Sequence, residues 1–279
     1  MDAKKVWFVT GASKGLGLAL LKKLIANNYL VAATSRDKNS LIEALNYSGN
    51  NFLPLEVDLV NEKSVQEAIN TTVERFGKID VVVNNAGYGQ AGTLEELSDA
   101  ESRENFDVNV FGVLNIVRKV MPHFRERKSG HFINISSVGG FIGNFPSFGV
   151  YCATKYALVG LTEALDAEAK TLGINATIIY PGYFRTNFLD EGSFKLPKKI
   201  INDYSDARAI EELHLNQIRG NQAGSPEKAA DVLIEISKQE NPPLHFFMGS
   251  DAYKFAKQKI EMIESELKNN EKLATSTDY

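Results

Sequence analysis

Tyr151-Cys152-Ala153-Thr154-Lys155 sets a phenol and an ammonium four residues apart. On a helix that spacing puts both groups on one face. A free tyrosine has a pKa of about 10 and an adjacent cation favours the phenolate, so the pair is equipped for acid/base work near neutral pH. The same spacing on a solvated helix is only a surface ion–aromatic contact. A second feature is Thr10-Gly11-Ala12-Ser13-Lys14-Gly15-Leu16-Gly17, with three glycines between an apolar run and a helical one. Glycines at a strand-to-helix turn let the backbone approach a pyrophosphate, whose charge the first N–H groups of the helix can meet. A plain glycine-rich connection has the same composition.

In a dinucleotide site the end of the second strand reads the adenine ribose. An acid takes the hydroxyls, and a basic residue accommodates a 2′-phosphate. Here that segment ends in Ser35-Arg36-Asp37. Ser35 leaves the strand end uncharged, Arg36 can grip a phosphate through two donors, and Lys14 faces the same region. These residues favour NADP(H) over NAD(H); the alternative leaves Arg36 solvated and puts Asp37 on the ribose. His123, His131, His214 and His245 are scattered without ligand spacing, and neither H-E-x-x-H nor C-x-x-C occurs, so no metal site is expected. Cys152, the single cysteine, reads as a packed free thiol.

These groups need a scaffold, and short apolar or β-branched runs alternating with helical periodicity supply one. Strands are expected over residues 6–10, 30–34, 51–56, 81–84, 131–135, 175–180 and 244–248. Helices are expected over 17–27, 64–76, 102–127, 151–172 and 227–239, the last opened by Ser225 as N-cap and Pro226 behind it. The pattern predicts a doubly wound parallel α/β sheet of Rossmann type, in one domain over 1–279. Residues 182–224 break the rhythm, being rich in Phe, Lys and Asn without a strand-like run. They are expected to form a loop-and-helix lid over the carboxyl ends of the strands, where open α/β sheets bind ligands. Residues 251–273 are amphipathic and charge-balanced, and read as a surface or docking helix.

Composition narrows the function classes. The chain has 279 residues, 43% apolar and 24% charged, which excludes disordered, collagen-like and disulfide-scaffold proteins. Its net charge is −4 and no basic block stands out, so nucleic acid and anionic membranes are not expected partners. Only four consecutive apolar residues, Val6 to Val9, follow the charged N-terminus, too few for a signal-peptide core or a membrane span. With one cysteine there is no internal disulfide, and a cytoplasmic location is the default.

The motifs gain meaning from their order. After T-G-x-x-x-G-x-G at 10–17 come Asn84-Asn85-Ala86-Gly87, Asn109, Ile135-Ser136-Ser137, Tyr151-x-x-x-Lys155 and Pro181-Gly182. This series closely resembles the short-chain dehydrogenase/reductase family, in the subtype with three-then-one glycine spacing, over about residues 4–250. The resemblance implies a catalytic tetrad of Asn109, Ser137, Tyr151 and Lys155. Tyr151 would exchange a proton with the substrate oxygen and Ser137 would orient that oxygen. Lys155 would hold the nicotinamide ribose and lower the Tyr151 pKa, while Asn109 would anchor a water linking Lys155 to solvent. It further implies that Asp58 binds the adenine ring and that Asn85 and Gly87 line the cofactor groove. Thr186 would reach the carboxamide, and Gly11, Ser13, Gly15, Leu16, Gly17, Leu59, Ala86, Pro181 and Gly182 would complete the cofactor contacts. One departure is that Ser137 stands fourteen positions before Tyr151, where family members commonly have one fewer. Ser136 is the other candidate, but alternation along a strand turns its side chain away from that of Ser137.

The resemblance implies an NADP(H)-dependent carbonyl reductase or alcohol dehydrogenase with a small-molecule carbonyl or alcohol as partner. A non-catalytic NADP(H)-sensing or scaffold module would have no need of Tyr151 and Lys155. Sugar-nucleotide epimerisation belongs to a related subtype with two-then-two glycine spacing. Phe141, Phe145, Phe148, Tyr183, Phe184, Phe188, Leu189 and Phe194 flank the catalytic elements and suggest an apolar pocket for a lipophilic substrate, with Phe141, Phe145, Phe184 and Phe188 as its lining. A homodimer or homotetramer is expected through helices 102–127 and 151–172, the second carrying a stripe of Leu158, Leu161, Leu165 and Leu172.

Overall fold

A computed structural model describes residues 4–279. In chain order the first half runs β1 (Val6–Val9), α1 (Gly15–Ala26), β2 (Leu30–Ser35), α2 (Lys38–Leu45), β3 (Phe52–Glu56), α3 (Glu62–Phe76), β4 (Val81–Asn84), β5 (Gly89–Gln90), α4 (Asp99–Phe106) and α5 (Gly112–Arg127). The second half continues with β6 (Gly130–Ile135), α6 (Gly149–Ala169), β7 (Ile174–Pro181), β8 (Phe194–Lys195), α7 (Ser205–Leu213), α8 (Pro226–Lys238), β9 (His245–Met248) and α9 (Ser250–Thr275). Seven of the strands form one parallel sheet in the order β3-β2-β1-β4-β6-β7-β9. The order reverses between β1 and β4, and the crevice beyond their carboxyl ends is where such sheets place ligands.

All four residues of β1 are buried, as a parallel strand covered on both faces requires. Trp7 and Val9 face α1 and α8 with Leu20, Leu24 and Leu233, while Phe8 faces the other layer with Ile69, Ile116, Val120 and Leu165. That two-sided core fixes β1 and therefore the glycine turn at its end. Ser225 caps α8, accepting from Lys228 N, with Pro226 as its first residue.

Three departures from the sequence expectation bear on the site. The stretch 102–127 is two helices, α4 and α5, joined by a π turn at Asp107–Phe111. Residues 38–45, to which the sequence reading assigned no element, form α2, capped by Asp37, whose carboxylate accepts from Asn39 N. The insertion 182–224 does contain a strand: β8 pairs in parallel with β5, a two-residue contact that tertiary proximity creates and no local run announces. Beyond β8 the insertion is tied to the segment before and within α4. Arg208 bridges Glu96 and Glu211, Lys195 meets Glu104, and the Ile201 and Lys198 N–H groups donate to Glu96 and Glu101.

Of the expected leucine stripe, Leu161 is half-buried and outside the core clusters. Leu158 and Leu165 are buried, and Leu172 packs on the core. No described helix is long and apolar enough to cross a membrane.

Candidate active site

Beyond the carboxyl ends of β1, β2, β4, β6 and β7 lies a cavity of about 750 Å³. Its floor at one end is the turn from β1 to α1. Gly11 and Gly15 both have positive φ (+62° and +59°), and a Cβ on Gly11 would stand 2.8 Å from Ala86 Cα, so only glycine lets the two turns touch. Asn85 locks them together: its side-chain amide donates to Thr10 O and Gly11 O, and the Asn85 and Ala86 N–H groups donate to Thr10 Oγ1. The first turn of α1 has neither a side-chain cap nor an acidic residue, which leaves its N–H groups and positive dipole end free for an anion. Gly17 does not line the cavity. It packs behind the turn, where a Cβ would come within 2.5 Å of Gly11 O and Asn85 Nδ2, so glycine is needed there for close packing.

At the β2 end Ser13, Lys14, Ser35, Arg36 and Ser40 line the same cavity. Ser35 Oγ lies 3.4 Å from Ser13 Oγ and 3.1 Å from Ser40 Oγ. Burial lowers the Lys14 pKa, and the charge of Arg36 lowers it further, which marks the two cations as sharing one electropositive corner. Asp37 lines the cavity as well, while its Oδ1 accepts from Asn39 N as the α2 cap. Leu16, Asp58, Leu59, Ala86, Gly87, Pro181, Gly182 and Thr186 also line the cavity, with Thr186 Oγ1 accepting from Phe188 N.

The reactive group sits at the middle. Tyr151, in the first turn of α6, is buried and lines the cavity together with Ser137. Burial pushes its pKa up, and the Ser137 hydroxyl offsets only part of that, so the phenol is protonated at neutral pH. Lys155 Nζ donates to Ile135 O at 2.9 Å and lies 5.9 Å from the Tyr151 ring centre; burial brings its pKa down to about 8. Burial is the largest cause for both groups, raising the phenol and lowering the ammonium. Ser136 faces the other way, its hydroxyl donating to Lys155 O behind the helix.

Asn109 lies on the π turn, outside the cavity lining. Its amide donates to Tyr88 O and Thr154 Oγ1, and its Oδ1 accepts from Tyr88 N. Across from it, a Cβ on Gly87 would stand 2.9 Å from Asn109 Oδ1 and 3.5 Å from Lys155 Nζ, so glycine preserves a gap between them.

On the substrate side Phe145, Phe148, Phe184, Phe188 and Leu189 line the cavity. Phe141 does not. It packs edge-on to Tyr180 and Phe247 at the sheet end, because the 3-10 turn at Val138–Gly140 directs it back onto the core. Tyr183, named among the flanking aromatic residues, lines the cavity, as do Tyr88, His214 and Gln222, which were not singled out for it. Tyr183 Oη meets His214 Nε2 at 3.0 Å, while His214 Nδ1 meets Ile210 O at 2.7 Å. Tyr88 Oη and Gln222 Oε1 are buried without a hydrogen-bond partner. Tyr183 was visible as a neighbour of Pro181-Gly182. His214 and Gln222 have no local signal, since only the folded insertion brings them inward.

Residues 5–194 match the family model for short chain dehydrogenases. The chain is 31% identical over 262 residues to the oxidoreductase BOA17 of Botryotinia fuckeliana, covering 94% of each chain. It is also 31% identical over 245 residues to the 3-ketodihydrosphingosine reductase of Bacteroides thetaiotaomicron, covering 88% of each. A crystal structure of a short-chain dehydrogenase from Streptomyces avermitilis superposes with a TM-score of 0.91 at 33% identity, over 99% of this chain and 100% of that one. Structures from Burkholderia phymatum with NAD (TM-score 0.80, 25% identity, 94% and 95% covered) and Burkholderia cenocepacia with NADP (0.72, 25%, 95% and 97%) share the fold.

Proposed function

The chain belongs to the short-chain dehydrogenase family, and on that premise we propose that it is an NADP(H)-dependent oxidoreductase interconverting a lipophilic ketone or aldehyde and its alcohol. The observation that carries this reading is the position of Tyr151. It is a protonated phenol sharing the cavity with Ser137, set between the open end of α1 and an aromatic pocket. The residues fit a nicotinamide dinucleotide: the Gly11 cradle and uncapped α1 suit a pyrophosphate, and Lys14, Arg36 and three serines suit a 2′-phosphate. When bound, that cofactor supplies or accepts the hydride.

The chain's own residues do the rest. Ser137 donates to the substrate oxygen and holds it beside Tyr151, which donates its proton as negative charge develops there. Lys155, charged below about pH 8, stabilises the phenolate left behind. Asn109 keeps the gap beside Gly87 open to a water that returns a proton by way of Lys155. Phe145, Phe184 and Phe188 exclude solvent from the reacting oxygen.

Incubation with NADPH and a panel of long-chain and cyclic ketones, followed by loss of reduced-cofactor absorbance, tests the assignment. NADPH binding without turnover of any carbonyl would favour the sensing module. Reductive kcat/KM should fall above about pH 8, where burial removes the Lys155 charge, and Lys155→Arg should flatten that limb because a guanidinium does not titrate there.

A further inference from the structure

Tyr183 follows the end of β7, and its backbone is fixed from two sides. Its N–H donates to Asp251 Oδ2 at 2.6 Å and its carbonyl accepts from Gly224 N at 3.0 Å. The side chain lines the cavity with His214, which opens the π turn His214–Ile218 after α7 and packs its ring on Phe148 with centres 4.7 Å apart. Both hydrogen bonds of that imidazole have a definite direction. Nδ1 lies 2.7 Å from Ile210 O, and a carbonyl only accepts, so the ring proton is on Nδ1. Burial lowers the His214 pKa, so the ring is neutral at pH 7 and Nε2 carries a lone pair. The 3.0 Å contact between Nε2 and Tyr183 Oη is then the phenol donating to the imidazole.

A phenol that has given its one hydrogen away can only accept. Among the described residues no donor reaches Tyr183 Oη. Gln222, on the same wall, is a second acceptor without a donor: it is 4% exposed, its backbone carbonyl is taken by Arg185 Nε, and its Oε1 has no partner. Leaving such groups unmet is costly, and a ligand that brings a donor removes the cost. Resting on the oxidoreductase reading above, we propose that the substrate carries, besides its reacting carbonyl or alcohol, a second polar group that is a neutral hydrogen-bond donor, a hydroxyl or an amide N–H, received by Tyr183 Oη. The donor is neutral because neither acceptor is charged, and a buried ammonium would be left without a counter-ion. An ether or a carboxylate brings only lone pairs to a lone pair. His214 is the positioning residue: without it the phenol keeps its hydrogen, and the site takes an acceptor as readily as a donor.

Two matched pairs of ketones on one carbon skeleton test this: hydroxy against methoxy, and primary carboxamide against its N,N-dimethyl form, with the substituent at successive distances from the carbonyl. The second member of each pair keeps the acceptor and loses the donor. Reduction with NADPH gives kcat/KM, and calorimetric titration in the presence of NADP(H) gives affinity whether or not turnover follows. In wild type the donor of one pair should exceed its blocked partner by about tenfold, and the pair that shows it separates the hydroxyl from the amide. Tyr183→Phe should bring that ratio to about one. His214→Leu should narrow it by improving the blocked compound, whereas a merely structural loss would weaken both members alike. Where leucine unsettles the turn, the Tyr183→Phe ratio decides alone. Wild-type ratios near one at every position, or a ratio that survives Tyr183→Phe, overturn the proposal. So does a Tyr183→Phe variant that loses NADPH affinity and keeps the ratio, since the phenol would then serve the cofactor. A tenfold binding ratio without turnover of any ketone supports the acceptor and overturns the reductase reading.

Discussion

On the cofactor side of the cleft the polar groups come from the backbone and from short turns. Thr10, Gly11, Asn85 and Ala86 bind one another within two adjacent strand ends, and α1 presents bare N–H groups straight after them. On the substrate side the wall is a 43-residue excursion, 182–224, held by side chains that reach across the molecule: Arg208 to Glu96, Lys195 to Glu104, Glu211 to Ser147. The first wall is rigid because its geometry is local and glycine-dependent. The second depends on a few long-range ion pairs, none of which touches the first. Tyr151 and Ser137 stand where the two walls meet.

The largest effect should come from the group common to both. Tyr151→Phe removes the only proton donor next to Ser137 in the proposed arrangement, and turnover should fall by about 10²–10⁴-fold, the usual range for a positioned acid/base. Because the glycine turn and the Lys14–Arg36 corner are untouched, NADPH affinity should stay within about twofold, well inside a tenfold change's 1.4 kcal/mol. Steady-state kinetics beside fluorescence titration would separate the two. Retention of a tenth of the activity would remove Tyr151 from its role.

The same contrast explains what the sequence disclosed. The β1–α1 turn, the Asn84–Gly87 turn, Ser137 and the Tyr151–Lys155 pair are each carried by neighbours in the chain, so spacing alone locates them. Ser137 over Ser136 follows from strand alternation, and the structure turns Ser136 onto Lys155 O. Phe141 shows the limit: composition places it near the pocket, yet the Val138–Gly140 turn decides which way it faces. His214 and Gln222 reach the cavity only in the folded insertion: His214 directly follows α7, whose Arg208 is seated on Glu96, and Gln222 O accepts from Arg185 Nε. The titration of Tyr151 was also beyond spacing, since it depends on how deeply α6 is covered.

Breaking the long-range tether is the next test. Glu96 has no exposed side-chain surface, and Arg208 lies 2.6 Å from it. Removing one member of a buried pair costs about 3–5 kcal/mol; the Thr93 and Ile201 N–H groups still hold Glu96, so Arg208→Met should fall at the low end. Urea unfolding reads the loss, and limited proteolysis should cut within 182–224 faster than in wild type. An unchanged cutting pattern would mean that the insertion is held by its aromatic contacts instead.

On the cofactor wall, Arg36→Ala should weaken NADPH binding and leave NADH almost unchanged. A charge-assisted contact to a 2′-phosphate contributes about 1.5–3 kcal/mol, or about one to two decades of affinity. Asp37 caps α2 through Oδ1 and lines the same cavity, so the NADH arm of this titration also tests it as a ribose ligand. Equal losses for the two cofactors would show that Arg36 acts on the loop and not on the phosphate.

The smallest effect concerns the substrate wall alone. Gln222 is buried, lines the cavity and leaves Oε1 without a partner, an arrangement that costs the free protein stability unless a ligand completes it. Gln222→Met keeps the volume and removes the orphan oxygen. The variant should unfold at a slightly higher urea concentration, by no more than about 1 kcal/mol of the penalty such a group carries, while KM for the carbonyl substrate rises a few-fold and kcat stays level. Those opposite signs are what separate a substrate contact from a packing role. If Gln222→Met lowers stability and leaves KM alone, the amide is part of the tether, and both walls of the cleft would then be purely structural at that point.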